Sequence, residues 1–366
     1  MVRRFVNIIA ERQSTGMYTL HRLDVSKHLF FPSSAAAAAE AAPNKISILP
    51  WLPAPAMRFE PSPTTIWDAG RLEMFTLVSP RSCEDRILCS NTLGHASLYN
   101  ADSGCIQTMP PLSGGKGFMP MAVSIVARPG AREEEDLYVM NTSVGGGGIG
   151  MPSLDDLRNN PSCFDVLRLG NLGCYDDSEV EESPMRLRGW RWNPLPPPPF
   201  AGNVRSHTVV DGGAGAAICI RRQVGGGGWV LPFDGAAEYV PELKLWMGFS
   251  STDSQQLCAW DLSGVAKDDK PPTLEHSWRD LETPKEWSPS RISLINLGKG
   301  WFCIAKTFRA VSEAGRLSLD SVDSVEDKFA VLTGIEMVTD GQEGLKMIRH
   351  KFIRYMFTNE MVRWVL

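Results

Sequence analysis

The segment WVLPFDGAAEYVPELKLWMGFSS, from Trp229 to Ser251, decides the fold. Two runs rich in apolar and aromatic residues, AEYV and LWMGFS, flank the tripeptide Glu242-Leu243-Lys244. Short runs of this composition separated by a polar turn are typical of a β-hairpin. We therefore predict two antiparallel strands joined by a turn at Glu242–Lys244. We place the preceding WVLPFDG at the end of an earlier structural unit.

Strands of the same kind fill the rest of the chain and fall into groups of about four. The third strand of a group ends in an apolar-x-x-apolar-Asp pattern, at Leu20–Asp24, Leu98–Asp102 and Leu257–Asp261. An Asp followed closely by Gly suits a hairpin turn, because Asp can bond its own backbone and Gly supplies a positive φ. A fourth strand that runs into proline suits the outer edge of a sheet, where a missing N–H matters least.

Repeated four-stranded units are the signature of a β-propeller. The sequence therefore predicts an all-β fold, a single β-propeller of about six blades over residues 1–366, with one degenerate blade. We expect the C-terminal MVRWVL to pair with N-terminal strands and close the ring. The predicted units are a first one built from RFVNIIAE, MYTLHRLD and HLFF, then about Arg71–Leu112, Met119–Phe200, Val204–Pro232 (short of strands), Gly235–Leu281 and Ser290–Phe357.

Three segments interrupt the strand pattern. The tract SSAAAAAEAAP, from Ser33 to Pro43, is the best helical candidate, but it is short and built almost entirely of small residues. We therefore predict an Ala- and Pro-rich linker loop over 33–58. Glycine, proline and acidic residues predict long inter-strand loops at 143–161 and 175–184.

Charge and hydropathy narrow the class of function. The 366 residues carry a formal net charge of −5, whereas nucleic-acid-binding proteins usually carry a basic excess. No apolar run approaches the length of a membrane span, and Glu11 and Arg12 come too early for the apolar stretch of a signal peptide. We therefore expect a soluble protein of the cytoplasm or nucleus that binds neither nucleic acid nor membranes.

Motifs for catalysis or metal binding are weak. LSGGKGF, from Leu112 to Phe118, lacks the spacing of a phosphate-binding loop and is better explained as a loop between units. Ser206, His207 and Asp211 are close in sequence, but strand alternation would put Ser206 and His207 on opposite faces. The six histidines form no H-x-x-x-H or H-x-H pair, and the eight cysteines form no C-x-x-C pair. We expect buried reduced thiols, no metal and no cofactor.

The stretch RLRGWRWNPLPPPPF, from Arg186 to Phe200, is the best candidate for contact with a partner. Arginine interleaved with tryptophan can stack on nucleic-acid bases or bind acidic partners, and a proline run can form an extended ligand. The alternative is an outer strand followed by prolines that block edge pairing. The preceding YDDSEVEES could neutralise the arginines, which disfavours nucleic acid. The candidate partner contacts are Arg188, Trp190, Arg191 and Trp192.

A family resemblance rests on RRFVNI, YTLHRLDVSKHLFFPS, the Trp229–Ser251 segment and LKMIRHKFIRYMF. These stretches resemble a plant family, seen chiefly in grasses, that is catalogued as domain of unknown function 1668. The likeness covers nearly the whole chain. It departs at RRQVGGGGWV, where family members tend to carry a further strand and turn, so the fourth unit is affected. The resemblance implies a kelch-like or F-box-associated-like fold with no assigned activity and no known catalytic residues.

The function that we predict is a non-enzymatic protein-interaction module, an adaptor or a substrate-recognition propeller. A propeller presents variable loops on a rigid scaffold, which suits protein binding. We expect a monomeric propeller with protein partners and without catalytic residues. The alternative is a propeller enzyme or a carbohydrate-binding protein with a pocket in the central channel, which fold analogy alone supports.

Overall fold

The chain folds into two compact units, which are considered one at a time. Unit 1 consists of Met1–Glu60 and Arg205–Leu366, and unit 2 of Pro61–Val204. No helix in the described part of the chain is long and apolar enough to cross a membrane. The computed structural model describes residues 2–40, 46–61, 71–126, 135–144, 163–171, 188–198, 200, 202–211, 216–222, 230–253, 256–268, 270–311, 326–340 and 344–366.

The fold is all-β, and the strands of the described segments form five sheets, the blades of a β-propeller. The predicted fold class is therefore confirmed, but the predicted number of about six blades is wrong. The described residues include three short helices, α1 (Val25–His28), α2 (Ser34–Glu40) and α3 (Val265–Asp268), all in unit 1.

Unit 1 contains the strands at both ends of the chain. Its strands are β1 (Phe5–Arg12), β2 (Tyr18–Asp24), β3 (Ile46–Ile48), β4 (Pro55–Phe59), most of β14 (Gly202–Asp211), β15 (Ala216–Arg222), β16 (Phe233–Val240), β17 (Leu245–Ser250), β18 (Gln256–Asp261), β19 (Thr273–Arg279), β20 (Trp287–Gly298), β21 (Trp301–Val311), β22 (Glu326–Asp340), β23 (Gly344–Met356) and β24 (Glu360–Val365).

The first sheet of unit 1 joins the two ends of the chain. Its strand order is β24-β1-β2-β4. Strand β24 pairs antiparallel with β1, with Trp364 opposite Ile9, so the expected pairing of MVRWVL with an N-terminal strand is confirmed. The segment HLFF is not a strand, because His28 ends α1 and the apolar Leu29 and Phe30 are buried in the core.

The predicted fourth blade, Val204–Pro232, does not exist as a separate sheet. Strand β14 pairs in parallel with β16, Ser206 opposite Gly235, and β15 pairs with β14, so both join the sheet of β16–β19. A two-stranded hairpin cannot bury enough apolar surface to stand alone. Here the Trp246 indole donates to Val209 O at 2.7 Å and the Thr208 hydroxyl donates to Ala237 O at 2.7 Å.

The hairpin of the quoted segment is confirmed. Strands β16 and β17 are antiparallel, and the turn between them closes with Lys244 N–H donating to Val240 O at 2.9 Å. Lys244 adopts a φ of 55°. The assignment of Phe233 to an earlier unit was wrong, because Phe233 begins β16 opposite Ser250.

The remaining sheet of unit 1 has the order β20-β21-β22-β23-β3. Strand β3 pairs in parallel with β23, Ile46 opposite Phe352. The segment 33–58, predicted as a linker loop, thus contains α2, β3 and the start of β4. The carbonyl oxygen of Leu29 accepts from Lys351 N–H at 3.0 Å. A Cβ on Gly334 would lie 2.2 Å from the same oxygen, so this crossing requires glycine.

The core of unit 1 lies between its sheets. One cluster unites Val6, Ile8 and Leu23 of the first sheet with Leu297 and Cys303 of β20 and β21. A second cluster packs residues of β16–β18 against residues of β21 and β22, among them Met247, Leu257, Phe302 and Ile335. Burial of such side chains stabilises each by about 1.5–3 kcal/mol.

Unit 2 contains two four-stranded sheets, ordered β5-β6-β7-β8 and β13-β12-β10-β9. Met74, Leu88 and Leu98 of one sheet pack with Leu137 and Leu167 of the other. Strand β11 pairs with the first residues of β14. The predicted loop 143–161 begins instead with β11 at Ser143–Val144, and its remainder, like the predicted loop 175–184, lies outside the described residues. The strands are β5 (Leu72–Leu77), β6 (Arg86–Asn91), β7 (Ala96–Asn100), β8 (Cys105–Thr108), β9 (Met121–Val126), β10 (Glu135–Met140), β11 (Ser143–Val144), β12 (Phe164–Asn171) and β13 (Arg188–Pro194).

Candidate functional site

The candidate residues Arg188, Trp190, Arg191 and Trp192 all lie on β13, the last strand of its sheet. The strand pairs antiparallel with β12, from Arg188 opposite Asn171 to Pro194 opposite Asp165. The interpretation as an outer strand running into proline is therefore confirmed. One backbone edge of β13 has no neighbouring strand within the described residues.

Strand alternation divides these residues between two faces. Trp192 is only 8% exposed and packs in the core with Leu167, and the half-buried Trp190 packs against the same cluster. Arg191 lies between them in sequence, points to the opposite face and is exposed. The structure brings the two tryptophans together as core residues and leaves Arg191 accessible. Of Arg188, only the backbone placement is described.

A row of charged residues crosses the sheet on the face of Arg191. Arg191 lies opposite Arg168 on β12, and Arg168 Nε donates to Asp136 Oδ2 on β10 at 2.8 Å. The hydrogen bond to Asp136 raises the pKa of Arg168. Two arginines directly opposite each other repel, and Asp136 offsets this repulsion for Arg168.

The proline segment after β13 is hydrogen-bonded to β12 through its first residue, Leu195. Leu195 N–H donates to Phe164 O at 2.8 Å. Pro194 and Pro196 are exposed, whereas Leu195, Pro197 and Pro198 are half-buried. Proline restricts its own φ and also the residue before it, so Leu195–Pro198 are confined to extended or polyproline conformations.

The LSGGKGF segment is a structural loop in unit 2. Lys116 is fully buried, and its Nζ lies 2.8 Å from Asp165 Oδ2. Ser113 donates to the same carboxylate through its N–H at 2.9 Å and through its hydroxyl at 2.8 Å. A Cβ on Gly115 would lie 2.2 Å from Thr92 O, so the glycine serves close packing. The lysine and glycines of this loop are thus engaged within the protein.

The described structure does not bring Ser206 and His207, two members of the Ser206, His207 and Asp211 set, together. Ser206 is fully buried on β14, and His207 follows it on the opposite face. Burial lowers the pKa of His207 to about 4. The Asp211 side chain lies outside the described part. No group of three or more His, Cys, Asp or Glu side chains among the described residues could hold a metal ion.

The cysteines of the described segments are free thiols. Burial raises the pKa of Cys89 to about 12 and that of Cys258 to about 11. Cys303 is fully buried, and its pKa is raised for the same reason. Thiols of this kind are unreactive core residues. The expected burial holds for Cys303 in GWFCIAK, whereas Cys219 in AAICIRR is half-buried. Cys105 is exposed.

One polar cluster in unit 1 was missed by sequence reasoning. His350 Nδ1 accepts from Phe31 N–H at 3.2 Å, and its Nε2 lies 3.3 Å from Glu336 Oε2. The Ser34 hydroxyl donates to the same Glu336 oxygen at 2.8 Å. Burial, the largest influence, lowers the pKa of His350. The cluster links Phe31 and Ser34 to β22 and β23. No local sequence motif predicts contacts between residues so far apart in the chain.

Comparison with known proteins identifies a family without an assigned activity. A family model described as "Protein of unknown function (DUF1668)" matches residues 3–355. No curated protein matches the chain. The match spans nearly the whole sequence and agrees with the resemblance carried by the N-terminal strands and the Trp229–Ser251 segment.

Proposed function

We propose that the chain, which belongs to the DUF1668 family of proteins of unknown function, is a non-enzymatic protein-interaction module. In this proposal it is an adaptor or substrate-recognition propeller of the cytoplasm or nucleus. It acts as a monomer, and pairing of β1 with β24 closes its ring. The partner is a protein, and no cofactor takes part.

The observation that carries the proposal is the exposed Arg191 on the last strand of its sheet, beside the exposed Pro194 and Pro196. Arginine is enriched where proteins recognise one another, because its planar guanidinium forms several directed hydrogen bonds. The buried Trp192 and the half-buried Trp190, on the opposite face, pack against the core and hold the strand in place. A rigid support lowers the entropy lost on binding.

The charged groups that first suggested chemistry support the same proposal. Lys116 is bonded to Asp165, Ser113 and Gly114 inside unit 2. Ser206 and His207 point to opposite faces of β14. Because Lys116 is engaged within unit 2 in the described structure, the exposed surface is the better place to look for function.

Affinity purification with mass spectrometry tests the proposal, with the wild-type chain and Arg191→Glu as baits in extracts of the producing cells. We expect at least one protein that the wild type enriches and the variant loses. Arg86→Glu, a charge reversal on β6 of the same unit, is the control and should keep this partner. Recovery of no protein above background would count against the module and favour the alternative, an enzyme or a carbohydrate-binding propeller.

A further inference from the structure

Arg291 joins the edges of two sheets within unit 1. Strand β24 is the end strand of the first sheet, and β20 is the end strand of the sheet β20-β21-β22-β23-β3. The guanidinium of Arg291 on β20 donates through Nη1 to the backbone carbonyl oxygen of Arg363 on β24. End strands carry backbone carbonyls that no further strand pairs with. The contact therefore brings two arginines together where the two sheets meet.

Each of these strands has a β-bulge at the point of contact. In β24 the register with β1 skips Arg363, and in β20 the register with β21 skips Ser290, directly before Arg291. A bulge redirects the neighbouring side chains and is frequent at sheet edges and beside functional sites. Two bulges that face each other thus shape the junction at which Arg291 meets β24.

The charges at this junction do not balance. Arg363 donates through Nε to Glu11 Oε2, so this arginine has an acidic partner. Within the described part of the chain no acidic partner of the half-buried Arg291 is recorded. Burial lowers the pKa of Arg291, and the neighbouring Arg363 lowers it further. Two positive charges and one negative charge therefore meet here, although charges removed from water are normally paired.

Arg291 also has hydrogen-bond donors to spare. In the described structure the recorded acceptor for Arg291 is the one that Nη1 uses. Neither Nε nor Nη2 is among the buried side-chain atoms that lack a partner, so both are accessible. These two nitrogens form one edge of the planar guanidinium, and such an edge matches the two oxygens of a carboxylate.

Two hydroxyl groups border the same guanidinium. Thr307 lies opposite Arg291 on β21, and opposite residues share a face of the sheet. The Thr307 hydroxyl oxygen lies 2.8 Å from that of Ser290, and either hydroxyl can be the donor. When Ser290 donates to Thr307, the hydrogen of Thr307 can turn toward a ligand beside Arg291.

We propose that Arg291, at the junction of β20 and β24, anchors a binding site for a carboxylate group, which Nε and Nη2 hold between them. One carboxylate supplies the single negative charge that Arg291, Arg363 and Glu11 lack. The group belongs either to a small organic acid or to an acidic side chain of another protein. The site goes beyond the proposed function, because it lies in unit 1 and uses no residue of β13.

The test follows the Nε–H signal of Arg291 by NMR in the full chain labelled with ¹⁵N-arginine. Its loss in Arg291→Lys and in Arg291→Gln identifies the signal. Sodium acetate should shift this signal along a saturating curve, whereas sodium chloride at the same ionic strength should not. Succinate and a short blocked peptide with one glutamate then distinguish the two sources, because the source that fits the site better saturates it at the lower concentration.

Charge variants provide a second measurement. Glu11→Gln removes the competing negative charge, so acetate should bind about threefold more tightly or better. Arg363→Gln brings the net charge of the three side chains to zero and should weaken acetate by a similar factor. Arg58→Gln, at an exposed position of β4 on the other edge of the first sheet, is the control and should bind within about twofold of the wild type. Thermal melting verifies that each variant is folded.

The outcomes separate this inference from the interaction module. Equal shifts in acetate and chloride, or saturation by phosphate but not by acetate, would overturn the carboxylate site. An affinity that Glu11→Gln and Arg363→Gln leave unchanged would also overturn it. If the site fails while affinity purification still recovers an Arg191-dependent partner, the interaction module stands and only the site is wrong.

Discussion

Each unit contains a buried Lys–Asp pair, and the two pairs differ in how completely they are hydrogen-bonded. In unit 2, Lys116 pairs with Asp165, and Ser113 donates to both carboxylate oxygens. In unit 1, Lys306 pairs with Asp280 Oδ1, and the fully buried Asp280 Oδ2 has no hydrogen-bond partner in the described structure. All four side chains are at most 1% exposed.

Both pairs join a connection to the sheet that follows it, with the charges exchanged, although Asp165 lies on the third strand of its sheet along the chain and Lys306 on the second. Lys116 lies on the connection from β8 to β9, and its partner Asp165 lies on β12 of the sheet that β9 begins. Asp280 lies on the connection from β19 to β20, and its partner Lys306 lies on β21 of the sheet that β20 begins. Both pairs fasten a connection to the following sheet. A connection can therefore be paired to the following sheet with the lysine on either partner. Of the two pairs, only that of unit 2 has both carboxylate oxygens hydrogen-bonded in the described structure.

Replacing the lysine of a buried pair by methionine is expected to cause the largest loss in unfolding free energy. Lys306→Met leaves both Asp280 oxygens buried and unbonded, and loss of one partner of a buried pair costs about 3–5 kcal/mol. Lys116→Met should cost less, because Ser113 still donates to Asp165. Urea unfolding measures both, with Lys346→Met at an exposed position of β23 as the control. Equal losses would show that the Ser113 bonds do not help to hold Asp165.

Replacing both charged residues of a pair by apolar residues is expected to lower the unfolding free energy less than a single replacement. The larger loss should now come from the pair of unit 2, whereas single replacements cost more in unit 1. Lys306→Met with Asp280→Leu removes the unbonded oxygen, so its unfolding free energy should fall within about 1 kcal/mol of the wild type or exceed it. Lys116→Met with Asp165→Leu removes the acceptor for Ser113 and the donor to Gly114 O, and should lose roughly 1–3 kcal/mol. Urea unfolding of the double variants decides this, and an equal outcome would remove the distinction between the pairs.

The sequence predicted the strands of both units better than their long-range partners. Local alternation and turn residues sufficed for the β16–β17 hairpin. At Asp261 only the expected side-chain bond forms, with Ser263 N–H donating to Asp261 Oδ1 at 2.8 Å, because the connection to β19 runs through α3 and is not a tight hairpin turn. The number of blades was wrong because the parallel pairing of β14 with β16 depends on tertiary contacts that no local pattern encodes. The helix α2 was assigned to a linker because propensity alone does not stabilise so short a segment.

The candidate site was likewise predictable only where a local sequence pattern determines it. The proline that follows the tryptophans predicted an outer strand. The predicted contact set grouped Arg191 with Trp190 and Trp192, whereas strand alternation places the arginine and the tryptophans on opposite faces. The pairing of Lys116 with Asp165 joins residues 49 positions apart, so LSGGKGF could be identified only as a loop. Burial of Trp190 and Trp192 depends on the neighbouring sheet of unit 2.

Lowering the pH is expected to destabilise unit 1 more than unit 2, by a moderate amount. The folded pKa of His350 in unit 1 is lowered by burial, so the unfolded chain takes up its proton first as the pH falls below about 6.5. The stability contributed is complete above that pH and is lost as the pH falls toward the folded pKa. His207, also in unit 1, acts in the same direction, whereas His95, the histidine of unit 2, is exposed.

Hydrogen exchange at pH 7.5 and pH 5.5 measures this difference. The β22 and β23 amides should lose more protection at pH 5.5 than the β10 and β12 amides of unit 2, after correction for the intrinsic exchange rate. In His350→Asn the side-chain oxygen can still accept from Phe31 N–H but cannot titrate, so the acid effect on β23 should shrink. The same loss in both units would contradict a histidine origin.

The smallest expected effect comes from an ion pair that has the same length as the buried pair of unit 2. Arg168 Nε lies 2.8 Å from Asp136 Oδ2, the distance that also separates Lys116 Nζ from Asp165 Oδ2, but the Arg168 side chain is 46% exposed. Water screens such a pair, so Asp136→Asn should change the unfolding free energy by about 0.2–1 kcal/mol. The change should diminish further in roughly 1 M NaCl, where the Debye length is about 3 Å. Because the distances are equal, a loss as large as that of Lys116→Met would mean that separation governs the strength of these pairs, and the comparison of buried pairs by their hydrogen bonding would fail.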